Sequence, residues 1–362
     1  MKKRNIKIEK ETLQNITASL LAILIGLLVG FVVLIVTNPR SSLPAFATIL
    51  QGGFLHGARG FGNVIFRAVP IILTGLSVGF AFRTGLFNIG VTGQFTVGAF
   101  TAVYIGVNKN WGQFTWFYAL IFAMLAGMVW ALIVGAMKAY RNVNEVIASI
   151  MMNYVGMFFV NFLIKQTAYD DVHSRTLPPR NAYLPKAGMD KIFPRSSLNV
   201  GIVFAVIAAI VIYIILEKTT FGFELKAVGF NRHAGRYAGI NEKRSIMLSM
   251  AIAGALAGLG GGLVYLSDVG KYISLSNTLL PEGFDGISVA LLAQNHPIAI
   301  LFSGLFISHI TYGGSNLQLY KMEPEIIQVI TASIIYVSAL SLFLRQFVAK
   351  IFKDEKKREV VE

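Results

Sequence analysis

The sequence predicts an all-α protein that crosses a membrane many times, and three observations carry that prediction. Hydrophobic residues make up 55% of the 362-residue chain and charged residues only 14%, with a mean hydropathy of +0.63. Soluble domains carry about 25% charged residues. The apolar residues are gathered into windows of about 20, the length a helix needs to cross a hydrocarbon core. Finally, no polar stretch between those windows is long enough to make a soluble domain, so any chemistry must sit in the bundle or be lent by partners.

Taken in order, residues 1–15 form a charged tail, and the apolar run Ile16–Val36 follows it. That run is too long for a signal-peptide core, so it is read as a retained first helix of a transmembrane domain spanning 16–345. Ten spans are expected, near 16–37, 64–82, 86–107, 114–136, 144–164, 199–216, 245–267, 284–295, 297–313 and 325–345. The eighth has an apolar run of about 12 residues, short of the ~17 needed to cross. His296-Pro297 follows it directly and favours a broken or re-entrant helix. Residues 346–362 form a second charged tail. With the N-terminus inside, 20 of the 32 Lys and Arg fall in inside segments, and half of the remaining 12 lie in one long outer loop, 165–198. Long loops weigh little in orientation, so both termini are expected in the cytoplasm. The outer loop is rich in proline and charge, which suits either an ordered docking surface or a disordered connector.

The net charge of +14 would suggest nucleic acid in a soluble protein. In a membrane protein, basic residues set topology and meet anionic lipid, so lipid is the expected partner and nucleic acid is not. The chain has no cysteine, which removes disulfides and thiolate chemistry. It has no G-x-x-x-x-G-K-S/T phosphate loop and no HExxH. Its histidines, at 56, 173, 233, 296 and 309, show no metal-ligand spacing. No catalytic residue and no metal site are expected. Within the spans the carboxylates are few, Glu145 and Asp285 near segment ends, which disfavours an ion-coupled carrier.

Four stretches are candidates for function. Residues 217–244 form a polar island between apolar segments, with six basic residues against three acidic ones. Asn231 is placed to cap a two-turn helix over Arg232–Ala238, ended by Gly239. So short a helix is marginal alone and needs the membrane domain or another protein to pack on; composition alone equally suits an ordinary cytoplasmic loop made basic by the positive-inside rule. Phe82–Phe100 interleaves glycines with Asn88, Thr92, Gln94 and Thr96, which suits either a polar pathway or hydrogen bonding between helices. Glu145 and Asn153, eight apart, share one helix face, and Glu145 suits an interfacial cap better than a transport site. Gly254, Gly258 and Gly262 make a GxxxGxxxG ridge expected to pack tightly. A faint likeness between Gly85–Val91 and Gly283–Val289 raises an inverted repeat of two halves.

Five blocks in order, RTGLFNIGVTGQ, NEVIASIMMNYV, GFELKAVGFNRHAGRYAGI, LSMAIAGALAGLGGGL and PEGFDGISVALLAQNHP, resemble the permease subunit of ABC importers. The likeness runs from about residue 60 to 345. The group resembled is the branched-chain amino acid/ribose-type permease family, and within it the nucleoside (simple-sugar) branch. The resemblance implies a large-importer-type fold of about ten helices in a bacterial plasma membrane. It implies a cytoplasmic ATPase that holds ATP and magnesium, a second permease, different or identical, and an extracytoplasmic substrate-binding lipoprotein. It maps an ATPase-coupling segment onto Glu224, Leu225, Lys226, Val228, Gly229, Asn231, Arg232, Arg236, Tyr237 and Gly239. At Gly235 the family more often has alanine. Asn88, Thr92, Gln94, Glu145 and Asn153 stand as pathway candidates, and the glycine ridge is expected to relay motion from the coupling segment. The readings set against this are a stand-alone secondary carrier and a purely structural subunit.

Overall fold

The computed structural model describes residues 2–323 and 325–339, and helix dominates them. The helices in chain order are α1 (Lys2–Thr37), α2 (Ser42–Gln51), α3 (Gly57–Arg83), α4 (Val91–Asn108), α5 (Thr115–Arg141) and α6 (Glu145–Thr167). A two-residue hairpin, β1 (Tyr169–Asp170) and β2 (Arg175–Thr176), and a single turn, α7 (Met189–Ile192), belong to the outer loop. Then come α8 (Gly201–Lys218), α9 (Thr220–Phe230), α10 (Arg232–Tyr237), α11 (Glu242–Tyr265), α12 (Pro281–Leu292), α13 (Pro297–Gly314) and α14 (Ile326–Ala339).

Each expected span meets a helix, but among the described residues seven stretches, not ten, are long and apolar enough to cross a membrane. The other three differ for separate reasons. Helix α4 has 18 residues, several of them Thr or Gln, and its first ten are all buried in protein, so it has no need to be lipid-soluble. Helix α12 has 12 residues, about 18 Å of rise against a core of about 30 Å. It stops where the sequence suggested. Gln294 and Asn295 are both left-handed (φ 50° and 58°), and α13 begins on Pro297. Helix α14 is described over 14 residues; the rest of its expected span and the tail 346–362 lie outside the described residues. The N-terminal tail is not separate, since residues 2–15 continue α1. The repeat suggested by Gly85–Val91 and Gly283–Val289 has no counterpart in local structure: the first precedes and opens α4, while the second is inside α12.

The chain divides into two compact units, Met1–Leu55 with His309–Glu362, and His56–Ser308. In the first, α14 lies along α1, with Ile330 and Ile334 over Gly30 and Gly26. Tyr320 hydroxyl shares a 2.7 Å hydrogen bond with Thr48 Oγ1. His309 accepts from Gly53 N (3.3 Å) and bonds Leu50 O (3.0 Å), which fixes the turn after α2.

The second unit is built around α11. Almost every residue from Ser245 to Tyr265 is buried, against α3, α4 and α5. A Cβ on Gly254 or Gly258 would overlap the backbone carbonyls of Gly127 and Ala123 on α5. One on Gly262 would come within 3.1 Å of Ala123 Cβ. On its other side α11 meets α4, where Gly261 lies on Phe95 O and Gly258 on Gly98. Backbones this close need small residues, and dispersion together with weak Cα–H contacts then holds them. Outward faces of the unit stay apolar. Ile147, Met151, Phe158 and Phe162 recur along α6 and Val203, Ile207, Ile210 and Ile214 along α8, all exposed, as a lipid-facing surface requires.

Contacts sort the loops of this unit to two ends. At one, Arg83 pairs with Glu217, Gly85 touches Gly229, and Arg232 bonds Asn142 (3.1 Å). At the other, Asn108 bonds Thr167 O (3.4 Å) and Leu184 N bonds Leu266 O (3.0 Å). The polar island 217–244 and the loop 165–198 are therefore at opposite ends of the helices.

Candidate functional site

The polar island is more ordered than its composition indicates. Three side-chain caps follow one another: Thr219 Oγ1 accepts from Gly222 N (3.0 Å), Asn231 Oδ1 from Ala234 N (3.1 Å) and Asn241 Oδ1 from Arg244 N (3.1 Å). Each satisfies a donor that a helix start would otherwise leave orphaned. The expected cap at Asn231 and the left-handed Gly239 (φ 82°) bracket α10. The helix before it, α9, was not anticipated, because Gly222 and Gly229 lower its intrinsic propensity.

Within α9 and α10 the mapped residues divide by role. Leu225 and Val228 are buried, and Val228 packs under Gly235. Gly229 sits so close to Thr84 and Gly85 that neither glycine could carry a Cβ, and Gly85 is left-handed (φ 76°). Lys226 pairs with Glu217 (3.4 Å), which also holds Arg83, and Arg232 is held by Asn142. These groups fasten the segment to the bundle. Glu224, Asn231, Arg236, Tyr237 and Gly239 point outward. So do three aromatic rings, Phe223, Phe230 and Tyr237, at 69%, 91% and 95% exposure. The two phenylalanines were not singled out in the sequence, although two aromatics spaced seven apart in a polar island are a readable signal. With Phe82, Arg83 and Lys226 they border an open groove of about 640 Å³.

The interior candidates come together, but chiefly with each other. Asn88 Nδ2 donates to Gln94 Oε1 and Gln94 Nε2 donates to Asn88 Oδ1, both at 2.9 Å, a reciprocal amide pair with no exposure beyond 1%, and Asn88 Nδ2 also donates to Ser77 Oγ (3.2 Å). Asn153, on α6, accepts from Gly93 N (2.8 Å) and donates to Ile89 O (3.0 Å). Thr92 is buried against Gly283 of α12, its hydroxyl without a partner among the described residues. Glu145 is apart from all of these. It pairs with Lys138 (2.7 Å), while Asn144 caps α6. The shared face of Glu145 and Asn153 thus serves two neighbours, α5 and α4.

At the opposite end the loop 165–198 is clasped to the connection between α11 and α12. Thr176 N donates to Ile273 O (3.0 Å), Leu275 N to Ser174 O (3.1 Å), and the Arg175 guanidinium lies 3.9 Å from the centre of the Tyr272 ring. Among the described residues no group of His, Asp and Glu is arranged to hold a metal.

The profile of the family described as branched-chain amino acid transport system / permease component matches residues 60–343. The chain is 36% identical over 343 residues to the guanosine ABC transporter permease protein NupP of Bacillus subtilis (strain 168), covering 94% of this chain and 98% of that one. It is 34% identical over 347 residues to the nucleoside ABC transporter permease protein NupB of Lactococcus lactis subsp. cremoris (strain MG1363), covering 93% and 94%. To the glucose ABC transporter permease protein TsgB13 of Haloferax volcanii it is 29% identical over 352 residues, covering 93% and 90%. No solved structure matches it.

Proposed function

We propose that this chain, which belongs to the branched-chain amino acid transport system permease family, is the membrane subunit of an ATP-driven importer that carries nucleosides into the cell. The observation that carries the reading is likeness along nearly the whole chain to permeases described as guanosine and nucleoside transporters. A chain without a phosphate loop also presents a rigidly fastened, aromatic and basic segment at one end. Exposed Phe223, Phe230 and Tyr237 beside Arg236 have the composition of an interface centre. The partner is a cytoplasmic ATPase that binds ATP and magnesium; this chain performs no covalent chemistry. A second permease, identical or different, completes the membrane unit, and an extracytoplasmic binding lipoprotein delivers substrate to the end bearing the loop 165–198. The setting is a bacterial plasma membrane, with both chain ends and the segment 217–244 in the cytoplasm.

Work passes through fastened parts. ATP-driven closure of the ATPase pair moves α10 and α9, and the Gly229–Gly85 contact hands that motion to the turn between α3 and α4. Purified complex in proteoliposomes tests this. Guanosine uptake is expected to require ATP inside the compartment that holds the ATPase. Phe230→Ala and Tyr237→Ala should each weaken ATPase binding about 10- to 30-fold, the equivalent of about 1.4–2 kcal/mol, without lowering the melting temperature. Val228→Ala should do the reverse. Uptake driven by an ion gradient in vesicles holding this chain alone would instead establish a secondary carrier.

A further inference from the structure

We infer that the end of the subunit opposite the ATPase-facing segment carries a binding pocket of its own for a neutral, hydroxyl-rich solute of nucleoside size. The inference rests on the nucleoside reading above and locates where the substrate is first held by this chain. The pocket is a cavity of about 260 Å³ between α4, α6 and the connection leading into α12. Drug-sized ligands occupy about 300–1,000 Å³, so this space suits a smaller solute.

Its chemistry is selective in a way its size is not. The polar side chains on its wall are hydroxyls and an amide, Thr96, Asn161, Ser274, Ser276, Thr278 and the phenol of Tyr272, and no Lys, Arg, Asp or Glu lines it. The rest of the wall is largely aliphatic. A zwitterionic amino acid would find no opposite charge on that wall for either of its own, which burial penalises. A neutral solute with a polar rim and a flat apolar body escapes that penalty. Hydroxyls both donate and accept, so they match sugar hydroxyls and base edges alike.

The groups are also held ready. Asn161 Nδ2 donates to Ser276 O (2.8 Å), which fixes the connection to α6 and leaves the amide oxygen of Asn161 without a partner among the described residues. Thr96 Oγ1 donates to Thr92 O (2.7 Å) and keeps its acceptor lone pairs. Ser276 and Thr278 hydroxyls bond each other at 2.7 Å. From outside, β2 bonds the same connection at Ile273, so the backbone is pinned on both sides and the side chains need little reordering on binding. The interior amides are more committed, since Asn88 and Gln94 bond each other twice and Asn88 also donates to Ser77 Oγ (3.2 Å).

The full complex with its ATPase, second permease and binding protein, reconstituted in proteoliposomes, provides the test, with guanosine as probe. Thr96→Val and Thr278→Val, which keep side-chain shape, should each raise KM for guanosine about tenfold, the equivalent of about 1.4 kcal/mol, with Vmax changed less. Asn161→Leu should do more, and also loosens the connection, so the two valine variants decide. Because the chain has no cysteine, a Thr278→Cys variant puts a single thiol in this subunit, whose labelling is read after the subunits are separated, and guanosine should slow that labelling. Normal guanosine uptake with unchanged KM in both valine variants and no protection of the cysteine overturns the pocket and leaves the nucleoside reading standing. A wild-type complex that moves glucose and not guanosine overturns the nucleoside reading. In that case a raised glucose KM in the same variants upholds the pocket, and an unchanged one removes both.

Discussion

At the first turn of α4 the helix begins on Gly90, which has no side chain to cap with, and the amide of Asn153 on α6 accepts from Gly93 N in its place. The neighbouring amides Asn88 and Gln94 bond each other reciprocally in the buried interior. Hydrogen bonds between membrane helices are worth about 0.6 kcal/mol on average, while stranding one buried amide costs about 1–3 kcal/mol. Gln94→Leu should therefore lower the melting temperature of the purified subunit more than the double variant Asn88→Leu/Gln94→Leu does. A double variant whose loss is the sum of the two single losses would mean that the pair is not coupled. Polarity along Phe82–Phe100 was plain in the sequence, and so were the two readings of it. Which reading holds depends on partners 6 and 60 residues away, Asn88 to Gln94 and Gly93 to Asn153, and nothing local encodes those.

Elements were legible where one physical signal is strong. Long apolar windows marked α1, α5, α6, α8, α11 and α13, and Pro297 with the short run before it marked the break after α12. Helix α2 is too short for a membrane-length window. Helix α9 was hidden by its glycines and its charge, and its order comes from packing on the α3–α4 turn, a tertiary effect. Helix α10 was visible because its cap and its stop are local. Six residues long, it should depend on that cap: Asn231→Ala is expected to cost about 1 kcal/mol locally. Hydrogen exchange at 232–238 would then accelerate roughly fivefold, with the global melting temperature unchanged. Exchange that stays slow would show that packing alone holds the helix.

For the whole molecule, the strongest expectation concerns sidedness, since the two polar assemblies of the second unit, 217–244 and 165–198, sit at opposite ends of its helices. Introduced singly into a chain without cysteine, Tyr237→Cys and Ile192→Cys give two exposed probes. A membrane-impermeant maleimide on intact cells should label the second and spare the first until the membrane is opened and the ATPase is stripped away. The reverse pattern would invert the topology. The charge count predicts this sidedness, because positive charge is retained on one side for reasons that do not depend on fold. What composition could not foresee is the joint at Gly85 and Gly229. Most contacts between moving parts run through side chains, which can rotate and take up part of a displacement before passing it on. Here one main chain rests directly on another, so the joint has no backlash. Under the proposed coupling role, a small shift of the exposed segment is expected to reach the turn before α4 with little slack, and any side chain added at either glycine would act as a spacer that throws the linkage out of true.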